Sequence, residues 1–164
     1  MLKIKFKNHK GFTLIELLVV IAILGLQVAG TATALNIARE KSRDAKRKAD
    51  LKQIYKALNM YLDESSSSGK YPNTNGSFYC FEDDSSGFQS NLVDNTKILV
   101  AVPKDKLYTQ RATVANGCYA YRSDGNDFKL MSLLEGDSSL MQNDGGATDL
   151  RFEIFTPGAK NWFP

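Results

Sequence analysis

The chain has 164 residues, 21 basic against 18 acidic, with a formal charge of +3 and a single histidine, His9. Four of the basic residues, Lys3, Lys5, Lys7 and Lys10, crowd the first eleven positions together with His9. The rest of the chain is therefore close to neutral and has no histidine. That excludes Ser-His-Asp and Cys-His nucleophiles, histidine bases and histidine-bearing zinc sites. There is no Walker-type loop and no GxGxxG fingerprint. A carboxylate pair is the one acid–base arrangement left open, and the reading is not an enzyme.

The first element is the basic stretch 1–11. It is followed by an apolar run from Phe12 to Leu35 whose only charge is Glu16. These 24 residues would span ~36 Å as a helix, enough to cross a bilayer. The lysines place the N-terminus on the cytoplasmic side and the C-terminal part outside. A carboxylate in hydrocarbon costs at least a few kcal/mol, so Glu16 reads as functional and needs a partner.

The residues Lys10-Gly11-Phe12-Thr13-Leu14-Ile15-Glu16-Leu17-Leu18-Val19-Val20 resemble the prepilin motif of type IV pilins and type II secretion pseudopilins. The resemblance implies that residues 1–11 are a leader. A prepilin peptidase would cut it off between Gly11 and Phe12 on the cytoplasmic face, methylating the new N-terminus and leaving the apolar segment in place. The cut would create the positive partner that Glu16 lacks, the α-amino group of Phe12. The mature chain would carry 17 basic and 18 acidic residues, so the basic balance belongs to the leader and is no sign of a nucleic-acid-binding head. The competing reading is an ordinary secretory signal with Ala32-Thr33-Ala34 as its cleavage site. Glu16 at the start of the run, and helical patterning past Ala34, stand against it. No cysteine precedes Cys80, which excludes a lipoprotein signal.

Gly25 and Gly30 weaken the apolar helix by roughly 1 kcal/mol each relative to Ala. Type IV pilins are similar in losing helix near the position of Gly25 on assembly, but many carry a proline where this chain has Thr33. The expectation is a continuous helix in the monomer and a stretched segment between Gly25 and Thr33 in a filament.

Residues 36–64 continue as an amphipathic helix. Ala38, Ala45, Ala49, Leu51, Ile54, Tyr55, Leu58, Tyr61 and Leu62 fall mostly at three- and four-residue spacings. Between Asn36 and Asn59 there are eight basic and three acidic residues, and from Met60 onward nine basic and fourteen acidic. The run Lys41 to Lys48 offers a surface to phosphates or anionic lipid. It reads equally as a solvated face or as charge pairing between subunits. Nucleic acid is the weaker partner, because aromatics are not interleaved as stacking platforms.

The head, 65–164, opens with four serines and Gly69. A Gly-x-Tyr-Pro segment after a long N-terminal helix again resembles pilin and pseudopilin heads. Short strands are expected at Phe78–Phe81, Cys118–Arg122, Phe128–Leu134 and Arg151–Phe155. Lys97–Val102 is ambiguous between strand and helix, and Asp124-Gly125 signals a hairpin. The fold class is α+β, a long helix packed on a small antiparallel sheet. Cys80 and Cys118 can form a disulfide if the head lies outside the membrane; separate buried thiols are the alternative. Asp124, Asn126 and Asp127 supply oxygens on a tight turn. This is compatible with calcium, which some type II pseudopilins bind in this general region, but equally with turn chemistry alone. Glu82-Asp83-Asp84 reads as a solvated loop. Trp162 and Phe163 either cap the core or touch a neighbour.

Together these features point to a structural subunit of a type IV pilus-like filament. It would be held in the cytoplasmic membrane as a single-pass precursor, then assembled through its N-terminal helix by pilus or secretion machinery. A type II secretion pseudopilin, a competence-type DNA-uptake pilin, an adhesion role and a membrane-anchored binding domain that never polymerises are the alternatives.

Overall fold

The computed structural model describes residues 11–64, 68–82, 90–105 and 117–163. The leader up to Lys10, Ser65–Ser67, and Asp83 with Asp84 lie outside them. One helix, α1 (Leu14–Asp63, 50 residues), precedes a four-stranded sheet. Its strands are β1 (Tyr79–Cys80), β2 (Ala120–Ser123), β3 (Phe128–Ser132) and β4 (Phe152–Phe155). They lie in the order β1-β2-β3-β4, each antiparallel to its neighbour. A short helix, α2 (Ser138–Gln142), joins β3 to β4. The chain divides into two compact units, Met1–Ala38 and Arg39–Pro164, and α1 contributes to both.

In the first unit the helix is continuous through Gly25. A Cβ there would meet nothing within 4 Å. Leu14, Ile15, Leu17 and Leu18 are all exposed, and α1 contains an 18-residue stretch apolar enough to cross a membrane, none of it buried in this chain. A helix apolar all round is suited to lipid or to other helices.

The second unit has its core between α1 and the sheet. Leu51, Ile54, Ala57 and Leu58 of α1 meet Tyr119, Tyr121, Phe128 and Leu130, with Phe81, Leu92 and Leu99 closing the sides. Phe128 takes Tyr71 edge-on at 4.7 Å and lies 5.7 Å from Tyr55. The Gly-x-Tyr-Pro segment is fixed by the hairpin. Tyr71 N donates to the Gly125 carbonyl, and the Tyr121 hydroxyl donates to that of Pro72.

Several boundaries differ from the sequence reading. The strands are one or two residues shorter, and β2 starts two residues later and runs one further, to Ser123. Lys97–Val102 is neither strand nor helix. It follows a π-helical turn, Ser90–Asn95, with Leu99 sunk into the core and Ile98 and Val102 packed against it. Glu82 is not solvated: it is 6% exposed, and its carboxylate accepts the backbone N–H of Tyr119 at 3.0 Å and of Asp105 at 3.4 Å.

Cys80 and Cys118 are joined as a disulfide, with Cα atoms 5.5 Å apart. A closure of this length contributes about 3–4 kcal/mol in the chain-entropy account. It ties the end of β1 to the approach to β2.

Candidate functional site

The prepilin-type residues sit at the start of α1. Gly11 and Phe12 precede the helix, and both are exposed. Thr13 is its N-cap. The Glu16 backbone N–H approaches Thr13 Oγ1 at 3.3 Å, and Glu16 Oε2 accepts both the Thr13 backbone N–H at 2.9 Å and the Thr13 hydroxyl at 2.7 Å. This is a reciprocal capping box, which satisfies N–H groups that a helix start leaves without partners. The structure therefore gives Glu16 a local job in the precursor. Its carboxylate also lies at the positive end of the helix dipole. No described residue bonds Oε1. Thr13 was not singled out from sequence, although Thr-x-x-Glu before an apolar run was there to be read.

The basic run of α1 is divided by the fold. Asp44 and Arg47 are 2% and 4% exposed and continue the buried stripe of Leu51, Ile54 and Leu58. Arg47 bonds Asp44 at 2.9 Å and Glu135 at 2.7 Å, and its Nε donates to Asp105. Arg43 pairs with Glu135 and Lys48 with Asp137. Asp44 accepts the backbone N–H groups of Glu135 and Gly136. Hydrogen bonds from Arg43 and Arg47 hold the Glu135 carboxyl down to about 2. Three of the cations in this run are therefore committed inside one chain rather than to solvent or a second subunit.

Glu82 is the opposite electrostatic case. Burial pushes its carboxyl up to about 7, although the amides of Tyr119 and Asp105 favour the anion. Between the ordinary value of 4.5 and about 7, the native state keeps a proton that the unfolded chain has released. Stability contributed here is present at low pH and falls as pH rises through that window, by at most about 3 kcal/mol. Glu82→Gln stays neutral throughout. It should melt above the wild type at pH 8 and level with it at pH 4; an equal melting difference at both would contradict this.

On the sheet face away from α1, Lys129 is fully buried. Its Nζ bonds Glu153 and the carbonyls of Lys160 and Trp162, each at 2.8 Å. Arg122 lies 4.6 Å over the Trp162 ring. The C-terminal segment thus folds back on its own sheet. The hairpin oxygens are committed too. Asp124 Oδ1 accepts the N–H groups of Asn126 and Asp127 at 2.9 Å, and Asp127 Oδ1 accepts that of Gly158. Among the described residues no group of three or more His, Cys, Asp or Glu side chains is placed to hold a metal ion.

A family model described as the prokaryotic N-terminal methylation motif matches residues 6–31. No curated protein and no solved structure matches the chain. The matched segment contains Gly11, Phe12, the Thr13–Glu16 box and most of the exposed apolar helix. The chain carries the prepilin-type motif of type IV pilins and pseudopilins at residues 6–31, followed by a long apolar helix and a small antiparallel head.

Proposed function

We propose that this protein is a pilin, the structural subunit of a type IV pilus-like filament. The observation that carries this reading is the motif-bearing helix. An 18-residue apolar window of α1, next to a capped carboxylate, has none of its length buried, on a chain whose head has a hydrophobic core of its own. The precursor sits in the cytoplasmic membrane with its leader inside and its head outside. Prepilin peptidase cuts between Gly11 and Phe12 and methylates Phe12. Assembly machinery then moves the helix from lipid into a bundle of identical helices, where the Phe12 amine of the same or a neighbouring subunit pairs with Glu16. In that bundle, neighbours share the burial of the backbone, which permits stretching between Gly25 and Thr33; an unbroken helix in a filament density map would contradict this detail.

Imaging tests the reading. Long extracellular filaments that contain this chain, and that vanish on its deletion, are the expected result. Protein that stays monomeric at the membrane would overturn it in favour of an anchored binding domain. Short filaments confined between two membranes would move it to a secretion pseudopilin.

A further inference from the structure

We propose that the head docks on a second copy of itself through one directional contact. The Asp149–Leu150 knob of one copy seats in the groove between α1 and Ile98 of the next. The inference rests on the filament reading above and adds the surface by which heads meet.

The groove holds about 420 Å³ and is lined by Ala49, Lys52, Gln53, Lys56, Met60 and Ile98, among others. Met60 on its lining is 57% exposed, and Ile98 is only partly buried. Among the described residues no ion pair reaches Lys52 or Lys56, whereas Arg43, Arg47 and Lys48 are all paired within the chain. Folding has thus paired Arg43, Arg47 and Lys48, whereas Lys52 and Lys56 on the groove pair with no described residue. The knob has the matching chemistry. Leu150 is 74% exposed, and the exposed Asp149 carboxylate bonds no described residue. Asp144 in the same loop is already committed to the N–H groups of Gly146 and Glu153. A leucine beside an aspartate that no described residue pairs fits an apolar groove edged by two lysines likewise unpaired among the described residues, a complementarity of both charge and apolar surface.

Groove and knob lie on opposite flanks of the head. Ile98 belongs to the segment closed by the disulfide next to the β1 edge. Leu150 leads into β4, the other edge strand. On the far flank of Lys52, α1 faces Leu140 and Phe152 instead. A surface that recognises a different surface on an identical copy does not close as a twofold pair; it repeats into an open chain. Phosphate of nucleic acid or lipid would engage the lysines but would leave Met60, Ile98 and Leu150 without a role.

The test uses the full chain in filament-forming cells. Zero-length amine–carboxyl cross-linking of sheared filaments should give a ladder of multimers. The linked peptide should join Lys52 or Lys56 to Asp149, and Asp149→Asn should remove it. Lys56→Asp and Asp149→Lys should each lower filament yield roughly tenfold, and the two together should restore it to within about twofold. Filaments without that cross-link, or a double variant no better than the singles, would overturn the docking while leaving the pilin reading intact. A wild type that forms no filaments would overturn both. Loss of binding to double-stranded DNA or to anionic vesicles in Lys52→Glu with Lys56→Glu, at unchanged filament yield, would overturn the docking and assign this edge to phosphate.

Discussion

Replacing Arg47 with Met should destabilise the head by about 3–5 kcal/mol, the usual cost of removing one partner from a buried ionic cluster. The guanidinium bonds three carboxylates, on Asp44, Asp105 and Glu135. Methionine fills much of the space but leaves Asp44 and Asp105, both nearly inaccessible, without their counter-charge. Arg47→Lys should recover only part of the loss, because an ammonium lacks the fork that reaches several partners at once. Thermal unfolding of the detergent-solubilised chain reads this directly. A melting temperature for Arg47→Met within about 2 °C of the wild type would mean that the cluster contributes nothing net.

Glu16→Ala should leave cleavage after Gly11 largely intact and reduce filament yield at least about tenfold. In the precursor the carboxylate accepts two bonds from Thr13, so its loss weakens the first turn by roughly 1 kcal/mol, which a membrane-inserted helix tolerates. In the filament core the loss leaves the Phe12 amine without a partner in a low-dielectric bundle, a penalty of several kcal/mol. Glu16→Gln keeps a cap acceptor but not the charge. It should therefore assemble as poorly as Glu16→Ala, and assembly at wild-type levels would show that capping, not charge, is what assembly needs.

The helix and the hairpin were legible because each depends on near-neighbour chemistry: the apolar run of α1, and Asp124-Gly125 between alternating strands. The buried stripe of α1 was only half legible. It continues through positions 44, 47, 51, 54, 58 and 61 at helical spacing, yet hydrophobic patterning scores Asp44 and Arg47 as surface. Their burial is made possible by Asp105 and Glu135, which lie 58 and 88 residues beyond Arg47 and which no local pattern connects to it. For the same reason Ala45 and Ala49, read as core, are exposed. Lys129 was not singled out from the sequence. It is buried because Glu153 and the carbonyls of Lys160 and Trp162 converge on it, a tertiary arrangement. Of the candidate site, Gly11, Phe12 and Glu16 were legible as a contiguous motif, while the Thr13 cap was present in the pattern but overlooked.

The central claim is that residues 1–11 are removed and that everything from Phe12 onward, apolar helix included, enters a filament. Intact-mass measurement of protein sheared from the cell surface tests it most directly. The account predicts a chain beginning at Phe12 and one methyl group heavier than its sequence. A chain beginning at Leu35, its apolar helix discarded, would contradict it.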